Sequence, residues 1–175
     1  MDVLLVIDMQ QGLFEQPRHR AAEVIGNINR LAAAVRARAG HVIYVRHDGR
    51  PGEDLEPGSP GWALHPGLEV GAEDGYLGKS ACDSFLGTDL AARLRILSPR
   101  RLLICGCATD FCVDTTLRSA AAQGFNVVAV SDAHTTADRP HLGAAQIIAH
   151  HHWMWEGLIL PAGKRVTLHP TERLV

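Results

Sequence analysis

The sequence predicts an open, doubly wound α/β fold, in which helices cover both faces of a mainly parallel sheet. The chain has 175 residues, of which 46% are hydrophobic and 21% charged, and this is enough for one buried core. Short apolar runs of strand length recur along it, and stretches of helical composition lie between them. This alternation is typical of a parallel sheet that is buried on both faces. We therefore expect a single domain over residues 1–175.

The predicted strands are four apolar runs and one shorter segment near the end of the chain. The four runs are apolar throughout rather than alternating with polar residues, so both faces of each strand are expected to be buried. The predicted strands cover residues 3–7, 42–45, 102–105, 127–130 and 166–168.

Four stretches with helical composition and recognisable ends connect these strands. Gly40 stands just past the first helix, Pro99 ends the second, and Pro140 suits the first turn of the fourth. The third is expected to begin at Thr109 or Asp110, either of which can cap it. The predicted helices cover residues 21–39, 88–97, 109–124 and 140–155.

Residues 48–75 interrupt the alternation of strands and helices. Gly and Pro are frequent in this stretch and no hydrophobic period is visible. The stretch therefore predicts a long loop, and loops of this length in a compact domain usually have a function. We expect it to cover the site.

Composition narrows the classes of partner. The chain has 17 basic and 19 acidic residues and a formal charge of −2, so it lacks the basic excess of proteins that bind nucleic acid. The apolar start ends at Asp8, too early for a signal peptide or a membrane span. Four cysteines are too few and too bunched for a disulfide framework, which favours a reducing cytoplasm. We expect a small-molecule substrate.

Two chemically active residues are expected at the carboxyl edge of the sheet, where such folds bind ligands. Asp8 directly follows the first strand, although an aspartate there can equally be a cap or a loop residue. Cys112 falls in the first turn of the third helix, where unpaired amides and the helix dipole favour a thiolate. It can also be a small buried hydrophobe. If their strands are neighbours, Asp8 and Cys112 face one crevice as base and nucleophile.

Four segments of the chain, in the same order and over nearly its whole length, resemble the isochorismatase-like cysteine hydrolases. The segment around Cys112 is the most specific. Lys79, which spacing alone leaves as a surface residue, lies in the second segment. The segments are Val6-Ile7-Asp8-Met9-Gln10, Lys79 with Ser84-Phe85-Leu86-Gly87-Thr88-Asp89-Leu90, Gly106-Cys107-Ala108-Thr109-Asp110-Phe111-Cys112-Val113, and Ser131-Asp132-Ala133-His134.

The resemblance implies a fold, a catalytic triad and an activity. The implied sheet has six strands in the order 3-2-1-4-5-6. The implied triad is Asp8, Lys79 and Cys112, which would hydrolyse a carboxamide C–N bond through a thioester. A cis peptide between Cys107 and Ala108 is also implied, and it would turn the Ala108 amide toward that of Cys112 as an oxyanion hole. Family members commonly form dimers or tetramers, so we expect a homo-oligomer.

Departures from the family's patterns help to choose among its activities. True isochorismatases, which hydrolyse a vinyl ether, lack the nucleophilic cysteine. Nicotinamidases carry a metal site of the Asp-x-His type after the second strand, where this chain has Arg46-His47-Asp48-Gly49. We therefore expect C–N hydrolysis without a metal or a cofactor, and the alternative is a nicotinamidase-type or isochorismatase-type hydrolase. A non-catalytic binding or scaffolding protein of the same fold is the alternative from another class.

The cysteine and histidine clusters are weak indications of a metal site. Residues 150–152 are three histidines in a row, but consecutive helical residues point about 100° apart, so they cannot converge on one ion. We expect that helix to pack on the sheet or on a second subunit. Cys105 and Cys107 with Cys112 lack a fourth zinc ligand. His134 can approach the pocket or hydrogen-bond a loop.

Two aromatic residues are candidates for binding the substrate. Phe14 lies just beyond Asp8, and Trp62 lies in the predicted loop, although both can equally be ordinary packing residues. The substrate class stays open among cyclic amides or lactams, ureido compounds and simple carboxamides.

Overall fold

One parallel sheet of six strands organises the fold. The strands are β1 (Asp2–Ile7), β2 (His41–His47), β3 (Gly75–Lys79), β4 (Arg101–Cys107), β5 (Val127–Thr135) and β6 (Thr167–His169). Their order across the sheet is β3-β2-β1-β4-β5-β6, and all neighbouring strands are parallel. This confirms the predicted fold class and strand order. The computed structural model describes residues 1–161 and 163–175.

Helices cover both faces of this sheet, and each begins and ends within five residues of its predicted bounds. They are α1 (Ala21–Ala37), α2 (Leu90–Leu97), α3 (Asp114–Ala122) and α4 (Ala144–Glu156). The side chains of β1 alternate between two cores: Leu4 and Val6 pack with α1, whereas Leu5 and Ile7 pack with the other three helices. In the described part of the chain, no helix combines the length and the apolar content needed to span a membrane.

Strand β3 is the one strand that no apolar run predicts. It lies at the edge of the sheet, and its residues alternate between buried and more exposed positions. It also contains two glycines, Gly75 and Gly78, which weaken any strand pattern. The predicted loop therefore ends before Gly75. Pairing with β2 sets Lys79 directly beside His47, so the edge strand carries Lys79 to the carboxyl end of the sheet.

Gly106 lets β4 pass unusually close to β1. Its φ is +121°, and a Cβ atom at this position would stand 2.1 Å from the carbonyl oxygen of Ile7. The pairing of β4 with β5 also shifts between Ile104 and Gly106. Any side chain here would force the strands apart. Gly106 therefore sets how closely the turn after β4 approaches the end of β1.

Candidate active site

Three strand ends bring Asp8, Lys79 and Cys112 into contact. Asp8 follows β1, Lys79 ends β3, and Cys112 lies in a π-helical turn, Thr109–Val113, between β4 and α3. Lys79 Nζ lies 2.7 Å from Asp8 Oδ2 and 3.4 Å from Cys112 Sγ. The three residues that the family resemblance names as a triad are therefore neighbours at one edge of the sheet.

The backbone of Asp8 turns out of the sheet immediately after β1. Its φ is 48°, in the left-handed region that aspartate tolerates better than most residues. Its amide still donates to the Val45 carbonyl at 2.9 Å, so the turn is fixed to β2. The carboxylate is buried, and its Oδ1 atom has no hydrogen-bond partner among the described residues. This oxygen is thus available to accept a proton.

Lys79 uses all of its hydrogens inside the site. Its side chain is fully buried. Nζ donates to Asp8 Oδ2 at 2.7 Å, to the Ala81 carbonyl at 2.9 Å and to Cys112 Sγ at 3.4 Å. Because an ammonium group has three N–H donors, each of them has a partner. Lys79 therefore fixes the position of the Asp8 carboxylate relative to the sulfur.

The turn that carries Cys112 begins at a cis peptide bond between Cys107 and Ala108. The Val113 amide donates to the Ala108 carbonyl at 3.2 Å, a spacing of five residues that defines the π-helical turn. Such turns are frequent at functional sites. Ala108 and Cys112 line the same cavity. Their amides are the ones that we predicted as an oxyanion hole.

Burial and mutual charge determine the ionisation of the three residues. Burial raises the pKa of Asp8, although the Lys79 charge opposes it. Burial also raises the pKa of the Cys112 thiol, and the Asp8 carboxylate raises it further. For Lys79, burial lowers the pKa, but Asp8 and Cys112 outweigh this effect and the pKa is raised. Both effects on the Cys112 thiol oppose the thiolate that the start of a helix favours.

Replacing Asp8 with Asn is expected to make Cys112 more reactive toward iodoacetamide. The substitution removes the carboxylate that raises the thiol pKa and leaves the Lys79 ammonium in contact with the sulfur. We expect alkylation at pH 7 to accelerate, because a larger fraction of the Cys112 thiol is ionised. The rate at Cys112 is measured by peptide mass spectrometry from pH 6 to pH 10 and is compared with the rate in the parent protein. An unchanged or slower reaction at Cys112 would contradict this account.

A cavity of about 340 Å³ opens beside Asp8 and Cys112. This volume suits a small molecule. Its apolar wall consists of Leu13, Leu55 and Phe111. Its polar lining includes Arg18, His47 and Arg139. Since Leu55 belongs to the predicted loop, that loop contributes to the site.

Phe14 and Trp62, the predicted substrate-binding aromatics, lie outside this cavity. Phe14 packs edge-on against His65, with 5.0 Å between the ring centroids. Trp62 stacks under the guanidinium of Arg46 at 3.6 Å, and its Nε1 donates to Asp48 at 2.7 Å. The aromatic ring at the cavity is instead Phe111. Its position directly before Cys112 is the one signal in the sequence that indicates it.

Sequence reasoning also missed Gln10, which holds His47 at the cavity. Gln10 Nε2 donates to the His47 carbonyl at 3.0 Å and to the Trp62 carbonyl at 3.1 Å, and its Oε1 accepts from the His47 amide at 2.8 Å. The Nδ1 atom of His47 is buried and has no hydrogen-bond partner within residues 1–161 and 163–175.

His134 lies behind the π-helical turn rather than in this cavity. Its Nδ1 lies 2.8 Å from the Thr109 hydroxyl, at the start of the π-helical turn, and its Nε2 lies 2.9 Å from His152 Nε2. His151 bonds instead to the Ile147 carbonyl at 2.7 Å. Neighbouring histidines of α4 thus have different partners. No three His, Cys, Asp or Glu side chains in the part of the chain that the structure describes form a metal-binding group.

Acid is expected to destabilise the protein through His134. Burial lowers the pKa of this residue to about 3, whereas its value in the unfolded chain is about 6.5. Between these values only the unfolded chain takes up the proton, so the free energy of unfolding falls as the pH is lowered. The free energy of unfolding falls by up to about 1.4 kcal/mol for each pH unit.

Urea unfolding at intervals from pH 6.5 to pH 4 measures this effect. His134→Gln is expected to show a shallower dependence than the parent protein. His150→Gln, an exposed position on the same helix as His152, is the control and should keep the parent slope. Equal slopes for all three proteins would show that His134 does not carry the dependence.

The chain resembles known proteins in sequence and in structure. Residues 2–150 match the Isochorismatase domain. Streptothricin hydrolase of Streptomyces noursei is 34% identical over 142 residues, which are 80% of this chain and 51% of that protein. The chain thus spans about half the length of the streptothricin hydrolases that it matches.

Two further matches cover most of both chains. YwoC, an uncharacterized isochorismatase family protein of Bacillus subtilis, is 30% identical over 161 residues, covering 83% of this chain and 84% of that protein. The crystal structure of an isochorismatase family protein has a TM-score of 0.86 and 32% identity, and the match covers 96% of this chain and 97% of that one.

Proposed function

The chain belongs to the isochorismatase family of hydrolases, and on that premise we propose that it cleaves the C–N bond of a small carboxamide through a thioester on Cys112. The observation that carries this proposal is the buried contact of Asp8, Lys79 and Cys112 beside an open cavity. A thiol, a carboxylate that can take its proton and a cation that holds both are the parts of an activated nucleophile.

The first step forms the thioester. The thiol proton of Cys112 passes to Asp8 while the sulfur bonds to the carbonyl carbon of the amide. The carbonyl electron pair moves to its oxygen, which the amides of Ala108 and Cys112 are proposed to stabilise. When the C–N bond breaks, Asp8 gives its proton to the departing nitrogen. Ammonia or an amine leaves, and the acyl group stays on the sulfur.

The second step hydrolyses the thioester. Water attacks the carbonyl carbon and gives a proton to Asp8, the C–S bond breaks, and the sulfur takes that proton back. Because burial raises the pKa of Asp8, the protonated carboxyl that both steps require is easier to form than that of an exposed aspartate. Lys79 stabilises the thiolate as it forms and keeps Asp8 in place.

Ammonia or amine release across a panel of carboxamides, lactams and ureido compounds tests this function. Samples quenched with acid during turnover are then analysed by intact and peptide mass spectrometry. We expect the mass of the substrate's acyl group on the peptide that contains Cys112. Turnover with acyl groups only on other residues would contradict the mechanism. A protein that binds panel members and releases no product would instead be a binding protein of this fold.

We also propose that the enzyme works in the cytoplasm as a homo-oligomer on a small molecule, with no nucleic acid or membrane partner. All four cysteines have free thiols, which supports a reducing compartment. On α4, Trp155 is buried in the core while Trp153 is 75% exposed. One exposed tryptophan is ordinary on a protein surface, so the homo-oligomer rests on the family resemblance alone.

A further inference from the structure

Each charged side chain around the catalytic cavity forms an ion pair with a side chain of opposite charge, with the exception of Arg18. Asp8 pairs with Lys79 at 2.7 Å, and Arg139 pairs with Asp110 at 2.8 Å. Arg18 lines the same cavity and has no acidic side chain within ion-pair distance among the described residues. The cavity therefore contains one positive charge that no protein group neutralises.

The structure holds Arg18 in place from both sides. Its Nε donates to the Leu13 carbonyl at 2.5 Å, which occupies one edge of the guanidinium. The next residue, His19, is bound to the end of β5: its amide donates to the Thr136 carbonyl at 2.9 Å, and its carbonyl accepts from the Thr135 hydroxyl at 2.6 Å. A half-buried side chain fixed in this way loses little freedom when it binds a ligand.

We propose that Arg18 binds a carboxylate on the substrate, so that the substrate class is small monoamides of dicarboxylic acids. This inference rests on the proposed function, because it places the amide at Cys112 and the acid at Arg18. The planar guanidinium matches a carboxylate with two parallel hydrogen bonds. A positive charge in a concave site also attracts anions. The apolar side chains of Leu13, Leu55 and Phe111 line the space between the two ends and suit a hydrocarbon spacer.

Turnover of matched substrates gives the first test. Ammonia release is measured for the monoamides of linear dicarboxylic acids with four to six carbons, and for neutral analogues in which a methyl ketone replaces the carboxylate. We expect the acid to have a kcat/KM about 10- to 100-fold higher than its ketone, the range of a hydrogen bond to a charged group. Arg18→Gln should remove that preference mainly through KM, and Arg18→Lys should restore part of it. Arg95→Gln, an exposed arginine on α2, should leave it unchanged.

Binding without turnover separates this inference from the proposed function. Calorimetry with the Cys112→Ala protein measures affinity for each acid and each ketone, with and without Arg18→Gln. Tighter binding of acids that depends on Arg18 supports the inference even if the parent protein hydrolyses none of them, an outcome that would refute the proposed function alone. The inference would be overturned, whatever the turnover, if acids and ketones bound with equal affinity. It would also be overturned if Arg18→Gln lowered the affinity for both by the same factor.

Discussion

Replacing Cys112 with Ala is expected to reduce amide hydrolysis by roughly 10⁴-fold or more, the range seen when a covalent nucleophile is removed. The variant retains the Asp8–Lys79 ion pair, because Cys112 contributes only the longer contact of 3.4 Å to Lys79. The fold should therefore persist, and the variant should still bind substrate. Ammonia release under saturating substrate measures the loss, and circular dichroism confirms the fold.

Two further variants identify the reacting sulfur. Cys112→Ser keeps a nucleophilic atom of similar size, but a hydroxyl is far harder to deprotonate than a thiol, so its activity should stay near that of Cys112→Ala. Cys82 also lines the cavity and is exposed, so Cys82→Ser tests the other accessible thiol. We expect this variant to retain the thioester on Cys112. Full activity in Cys112→Ser, or loss of the thioester in Cys82→Ser, would show that the nucleophile is assigned wrongly.

The positions of Asp8 and Cys112 could be predicted because each follows a fully buried strand. A strand that is apolar on both faces must lie inside the sheet, and the residue after it emerges at the carboxyl edge. Lys79 could not be placed in this way. Its strand is at the edge of the sheet, where one side lacks a partner and the hydrophobic pattern is weak. Only the resemblance to a family indicated its role.

The lining of the cavity and the ionisation of the site depend on distances that the sequence does not specify. Trp62 and Leu55 belong to the same predicted loop, yet Leu55 reaches the cavity while Trp62 turns away to stack with Arg46. The pKa of Cys112 likewise reflects burial and a neighbouring carboxylate from another strand. A helix start favours a thiolate, but here these two effects outweigh it.

Replacing Lys79 with Met is expected to stop turnover and to lower the free energy of unfolding by about 3–5 kcal/mol, the usual effect of breaking a buried ion pair. The Asp8 carboxylate would stay buried without its counter-ion. Urea unfolding at pH 7 measures this loss. Arg20→Gln is the control, because it removes an exposed ion pair with Glu23 and should change stability by less than about 1 kcal/mol.

The double variant Asp8→Asn/Lys79→Met should recover much of that stability but none of the activity, since it removes both charges and the proton acceptor. Lowering the pH should also reduce the difference in the free energy of unfolding between the parent protein and Lys79→Met. Without Lys79, burial raises the pKa of Asp8 further above its unfolded value, so Asp8 in the folded variant takes up a proton and the buried charge disappears as the pH falls from 7 toward 4. A deficit that does not change with pH, together with a double variant no more stable than Lys79→Met, would mean that Lys79 stabilises the fold by packing rather than by pairing with Asp8.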